Sequence, residues 1–289
     1  MNILFSNMVF GFLILMLTGV SESKAQTNVS VMTYNIRYDN PDDGNNRWDL
    51  RKAELLNQVK FFDPDFLGTQ EALVHQVEYM DRELAGMDYI GIGRAQGGES
   101  DEYSAIFYDT GQYELIAESD STIWLSETPG QVSTGWDAAL PRIMTWGKFR
   151  DRSTGSELYV FNTHFDHRGE QARAESAKLI LQIIDKIAGD DPVVLTGDFN
   201  VEPGSRPYST LTSSSLRDAW QHSTIPAVGP DFTYSGWEVA ESLDNQGRRI
   251  DYVFVNDGVE VRSISALTTF RDGRFLSDHL AVFSVLELR

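Results

Sequence analysis

The sequence predicts a layered domain of the α/β or α+β class, on three observations. Short apolar, β-rich runs recur along the chain. Amphipathic segments with helical spacing lie between several of them. No repeat, low-complexity tract or long linker breaks the series after residue 26. The 289 residues, 41% hydrophobic and 11% aromatic, are enough for a substantial core, and no domain boundary is visible.

The chain opens on MNILFSNMVFGFLILMLTGVSESKA, whose apolar run from about Val9 to Val20 ends in the small-x-small triplet Ser23-Lys24-Ala25. That pattern predicts a signal peptide over residues 1–25, cut after Ala25, and a mature domain over 26–289. A signal anchor is the alternative, but the run is shorter than the roughly 20 residues of a bilayer span, so no integral membrane span is expected after cleavage. With 0 Cys the chain can carry neither a lipid on cysteine nor a disulfide, which makes a secreted or periplasmic protein held by its core the expectation.

The elements follow in order. VSVMTYNIRY (29–38) and FDPDFLGTQE (62–71) read as strands ending in polar residues. A helix from about Asp49 lies between them, with Ala53, Leu55, Leu56, Val59 and Phe62 at helical spacing, and a second helix is expected over 72–85. YIGIG, SAIFYD, TIWLS and MTWGKF, punctuated by Gly, Asp and Ser, predict hairpin strands. ELYVFNTHFDH (157–167) is a further strand. Residues 169–189 form the clearest helix, with Leu179, Ile180, Ile183, Ile184 and Ile187 on one face and Gly189 as its stop. VVLTGDFN, RRIDYVFV, VRSISALTTF and SDHLAVFSVLEL complete the chain as strands.

The formal net charge is -19, which argues against tight non-specific binding of polyanions because such binding rests on Lys and Arg. Phosphate chemistry stays open, since divalent cations invert a local acidic field. Strand after strand ends in an acid, amide or imidazole: Asn35, Glu71, His164 with Asp166 and His167, Asp198 with Asn200, Asp251, and Asp278 with His279. Singly, these are turn formers or surface polar groups. Their recurrence argues for one convergent edge, where strand ends of an α/β sheet meet ligands. Hard oxygen ligands without thiolates select Mg²⁺ or Mn²⁺. Such a cation, with imidazoles and a carboxylate beside an amide, is what phosphoryl transfer to water requires.

The ordered series N-I-R, G-T-Q-E, N-T-H-F-D-H, G-D-F-N, R-I-D-Y and S-D-H resembles the endonuclease/exonuclease/phosphatase superfamily, the deoxyribonuclease I-like fold, over essentially all of residues 28–289. The resemblance implies a four-layer α/β/β/α sandwich, α+β in class, with two packed mixed sheets and outer helices. It also implies a metal-dependent phosphoric ester hydrolase attacking in line with an activated water. Carried over by motif position, Glu71 is the principal metal ligand, Asn35 stands in or next to the coordination shell, and Asp278 completes the metal side. Asp198 activates the water and Asn200 bonds a phosphate oxygen. His279, held by Asp251, and His164, oriented by Glu102, are the imidazoles, and a carboxylate partner is expected to raise the pKa of each. Glu102 reads equally as a solvated acid near a strand start.

Arg37 and Arg142 are candidate bidentate phosphate contacts, with Asp166, His167 and Arg168 flanking the histidine strand. For Arg142 and Arg168 a surface ion pair fits at least as well. Trp48, Trp136, Trp237 and Tyr234 fall in loop-like segments and read more readily as core caps than as stacking platforms. The segment 37–52 has the Asp and Asn content of a calcium loop without EF-hand spacing, and reads as a site-flanking loop. The expected substrate is a phosphorylated small molecule, a lipid headgroup or nucleic acid, acted on by a monomer. A secreted nuclease is the nearest alternative, and a metal-independent glycosidase or a non-catalytic phosphate-binding module are the more distant ones.

Overall fold

The computed structural model describes residues 27–95, 101–234, 236, 237, 239 and 247–289. The expected signal peptide lies outside them. Among the described residues, no helix is long and apolar enough to cross a membrane.

Strands alternate their side chains between two faces, and here both faces are covered. The strands are β1 (Thr27–Asn35), β2 (Phe66–Gln70), β3 (Met87–Ile90), β4 (Ile106–Asp109), β5 (Tyr113–Trp124), β6 (Ile143–Asp151), β7 (Glu157–His164), β8 (Val193–Asp198), β9 (Arg217–Asp218), β10 (Asp251–Val255), β11 (Val259–Ala266), β12 (Phe270–Arg271), β13 (Arg274–Phe275) and β14 (Val282–Leu288). The helices are α1 (Trp48–Phe62), α2 (Val74–Glu83), α3 (Glu170–Ile187), α4 (Arg206–Thr212) and α5 (Ala219–His222). One six-stranded sheet has the order β11-β14-β1-β2-β4-β3 and the other β5-β6-β7-β8-β10-β9, while β12 and β13 pair alone.

Three clusters of buried side chains define four layers. Val29, Val31 and Phe66 meet Phe149, Val160, Val194 and Val253 between the sheets. Met32, Tyr34 and Leu67 turn the other way, onto Leu55, Leu56 and Val59 of α1 and Val77 and Met80 of α2. Phe161, Leu195 and Phe254 face Ala177, Ile180 and Ile184 of α3 on the far side. The α/β/β/α sandwich follows from a period-2 pattern apolar on both faces. On α3 the apolar face is wider than expected. The small residues Ala172, Ala174 and Ser176 are buried with Ile180 and Ile184, whereas Leu179, Ile183 and Ile187 are only partly covered.

Two parallel pairings place the chemistry. β1 runs parallel to β2 with Asn35 opposite Gln70, and β7 parallel to β8 with His164 opposite Asp198, so four strands deliver their last residues to one edge. Asp251 is a correction to the strand-end expectation: it begins β10, and the antiparallel pairing with β8 brings that first residue opposite Asp198. Asp278 and His279 likewise precede β14, which runs antiparallel to β1 and away from the site. Gly197 permits the close β7 approach, since a Cβ there would lie 2.2 Å from the Thr163 carbonyl oxygen.

Between the sheets, just below that edge, lies a buried polar lattice. Asn162 donates through Nδ2 to the carbonyls of Thr69 (2.8 Å) and Ala105 (2.9 Å), and its Oδ1 accepts from Gln70 Nε2 (2.7 Å) and Thr196 Oγ1 (3.1 Å). These bonds tie the end of β2 to those of β7 and β8. Neither this lattice nor the short elements α4, α5, β12 and β13 has a strong local signal in the sequence, because each is too brief to show a period.

Candidate active site

The converging ends form a cleft of about 520 Å³ lined by Glu71, Asp198, Asn200, Asp278, both imidazoles and the guanidinium groups of Arg37, Arg142 and Arg248. Asn35 is its hub. The side chain is fully buried, and Nδ2 donates to Glu71 Oε1 at 3.0 Å and to Asp198 Oδ2 at 3.0 Å. Its Oδ1 accepts from the Arg37 N–H at 3.0 Å, so the amide oxygen faces the backbone and the amino group faces the carboxylates. Asn35 thus turns its amino group toward the carboxylates of Glu71 and Asp198. Glu71, Arg37 and Asn200 all adopt left-handed backbone, at φ 64°, 57° and 50°. The chain holds non-glycine residues there, at about 1–2 kcal/mol each, to turn their side chains into the cleft.

Glu71 and Asp278 share one side of the cleft, with Arg37 Nη1 at 3.9 and 3.8 Å respectively. Burial first, and the neighbouring Glu71 charge with it, push the Asp278 carboxyl up. Two hard carboxylates held this close, one of them resisting ionisation, form a donor set that a divalent cation would relieve. Arg37 is less available than expected, because Nε and Nη2 grip Asp43 at 3.1 Å each and leave Nη1 facing the two acids.

Asp198 lies between two imidazoles, 3.4 Å from His164 Nε2 and 3.7 Å from His279 Nε2. Burial, and then the charge of Asp251, push its carboxyl up to about 7. Asp251 accepts at 2.9 Å from His279 Nδ1, and its own backbone N–H donates to Thr233 Oγ1 at 3.0 Å, which fixes where β10 begins. Burial alone would depress His279, but Asp251 and Asp198 outweigh it and hold the imidazole well above its ordinary value. Donor atoms of Asp198, Asp251 and His279 lie within 4.8 Å of one another, close enough for a metal. The Nδ1 hydrogen bond uses the same atoms to keep a proton instead.

His164 goes the other way. Burial, reinforced by the positive charges of Arg142 and Arg94, holds its imidazole well below the usual range, which corrects the expectation of two raised histidines. Its Nε2 is 3.1 Å from Asn200 Nδ2, a contact in which a neutral ring accepts. Glu102 approaches His164 Nδ1 only to 3.8 Å, beyond hydrogen-bond reach, and is bound instead by Arg94 Nη2 at 2.7 Å. Its primary partner is thus Arg94, a residue with no sequence signal because its neighbours are loop-like. Burial, countered by Arg94, pushes the Glu102 carboxyl up to about 7.

Two further corrections concern the flanking residues. Arg142 is buried rather than a surface cation. It donates from Nε to Asp166 at 3.3 Å and contacts His167 Nδ1 at 3.0 Å, while Nη1, 3.9 Å from Glu102, has no hydrogen-bond partner. Asp166 does not line the cleft. Its oxygens accept from the N–H groups of Leu140, Arg168 and Gly169 and from Arg142, so it braces the loop that carries Arg142. Tyr234 belongs to the cleft and not to the core, its ring centroid 4.9 Å from that of His279, whereas Trp48 is a core residue.

A model of the Endonuclease/Exonuclease/phosphatase family matches residues 32–279. An endonuclease/exonuclease/phosphatase structure from Bacteroides vulgatus superposes with a TM-score of 0.86 at 39% identity, covering 91% of this chain and 100% of that one. The mannosyl-6-phosphatase of Bacteroides thetaiotaomicron superposes at 0.83 and 35% identity, covering 89% and 99%. An uncharacterized protein of Acanthamoeba polyphaga mimivirus is 26% identical over 260 residues, 83% of this chain and 92% of its own. On the family match and the 39% identical structure together, this chain belongs to the Endonuclease/Exonuclease/phosphatase family.

Proposed function

We propose that this protein is an exported, divalent-metal-dependent phosphoesterase that hydrolyses a phosphorylated small molecule, with a sugar phosphomonoester as the first class to test. The observation that carries the reading is Asp198 placed between two imidazoles of opposite protonation, His279 charged and His164 neutral. Groups pushed apart in this way divide proton donor from acceptor.

Glu71 and Asp278 would hold Mg²⁺ or Mn²⁺, with Asn35 bracing Glu71. Bound there, the cation would neutralise charge on the phosphoryl oxygens and acidify a water. Asp198 orients the attacking water and takes one of its protons as the water oxygen bonds to phosphorus and the ester P–O bond breaks opposite. The leaving oxygen takes a proton from solvent, and Asp198 returns its own. His279 donates to a non-bridging oxygen, with Asp251 keeping its Nδ1 protonated. Asn200 donates to a second oxygen, and the unpartnered Nη1 of Arg142 to a third. The net charge of -19 and the small cleft favour a compact substrate over a polynucleotide, and the 35% identical mannosyl-6-phosphatase supports a phosphorylated sugar.

The test is release of nitrophenol from p-nitrophenyl phosphate and its bis ester, with Mg²⁺, Mn²⁺ or EDTA present. Turnover should require the cation and fall by about 10²–10⁴ in Asp198→Ala and His279→Ala. Turnover that survives EDTA would sink the proposal. Export predicts a mature N-terminus at Gln26, which sequencing of the natively expressed protein would read.

A further inference from the structure

A second cavity of about 600 Å³ adjoins the cleft and shares Asn200 and Arg248 with it. From this junction we infer an extended leaving-group subsite for the polyhydroxylated remainder of the substrate, so that a phosphorylated oligosaccharide binds better than the phosphorylated monosaccharide. The inference rests on the phosphoesterase reading, since it takes the phosphate to lie against Asn200.

Three features of the cavity select this ligand chemistry. Its size falls within the range of about 300–1,000 Å³ typical of small-molecule sites. Its lining mixes donors and acceptors: Arg173, Arg206, Arg248 and Gln171 beside Glu170, Glu175 and Glu202. Hydroxyl groups, each both donor and acceptor, satisfy such a wall, whereas a second phosphate would meet the three acids. No aromatic side chain is among its lining residues, so a nucleobase would find nothing to stack on.

Arg248 marks the junction. Its guanidinium lies over the Tyr234 ring at 5.0 Å, and that ring packs against His279. The other cleft arginines each hold a carboxylate, Arg37 that of Asp43 and Arg142, through Nε, that of Asp166. Arg248 has no carboxylate within salt-bridge distance among the described residues, and stands where a phosphate in the cleft would join a chain running toward Glu202 and Arg206.

The test compares a hexose 6-phosphate, the corresponding disaccharide phosphate and a nucleoside monophosphate, using the whole protein and its Glu202→Ala/Arg206→Ala variant. Both replaced residues are exposed, so the fold is spared. The expected result is a disaccharide-to-hexose ratio of kcat/KM of about tenfold or more in the wild type, reduced to near unity in the variant. Calorimetric Kd values for the same ligands should show the same ratio and read the groove independently of turnover. A wild-type ratio near one in Kd, a ratio unmoved in the variant, or tighter binding of the nucleotide would overturn the subsite. Absence of p-nitrophenyl phosphate hydrolysis would instead fault the chemistry assigned to Asp198, and the Kd comparison would still decide the groove.

Discussion

Replacing Asp251 by Asn tests what keeps His279 charged. The wild-type pair is buried, with Nδ1 and Oδ2 2.9 Å apart. A hydrogen bond to a charged partner contributes about 1.5–3 kcal/mol, and an amide retains the shape without the charge. Losing that much at about 1.4 kcal/mol per decade lowers the imidazolium-to-imidazole ratio at a given pH by roughly 10- to 150-fold. The chain has 5 His, so ring C–H resonances can be assigned by deletion and followed by NMR against pH. In Asp251→Asn the His279 titration should move down, and kcat should fall with little change in KM. The raised pKa also has a stability sign: its contribution is complete below the unfolded value near 6.5 and fades as pH rises through the folded one. The variant should therefore lose most stability at the acid end of that window. An unmoved His279 titration in a folded Asp251→Asn protein would refute the assignment.

Three further outcomes are expected. Gly197→Ala drives a Cβ against the Thr163 carbonyl oxygen and should cost about 1–3 kcal/mol in urea unfolding; an unchanged midpoint would mean that β7 and β8 can shift without penalty. Asn162→Ala removes an acceptor from buried Gln70 and a donor from the Thr69 and Ala105 carbonyls, so about 1–3 kcal/mol per stranded group should be lost; a water-filled, undestabilised variant would contradict this. The acid limb of kcat/KM should lie above the ordinary carboxylate range, toward the value of about 7 to which Asp198 is raised, because its ionised form is the base. A limb near 4 would remove Asp198 from that role.

Much of the frame was legible in the chain. The apolar run ahead of G-D-F-N and the helical spacing of 169–189 are local patterns that a strand buried on both faces and an amphipathic helix impose on any sequence. The motif residues could be named for the same reason, since each interrupts such a run at its end. Cavities, by contrast, gather residues far apart in sequence, and so the junction at Arg248 had no local trace.

By itself, the sequence determined the order of the longer strands and helices and most of the polar groups gathered at one edge. Only the tertiary structure decided how those groups are paired and charged. It gave Glu102 to Arg94, Asp166 to the Arg142 loop, and Asp251 to His279, and it set the two imidazoles to opposite states. The physical reason is that protonation depends on desolvation and on charges within a few ångströms. Those neighbours come from strands and loops as much as 244 residues apart, as with Asn35 and His279, which packing alone brings together.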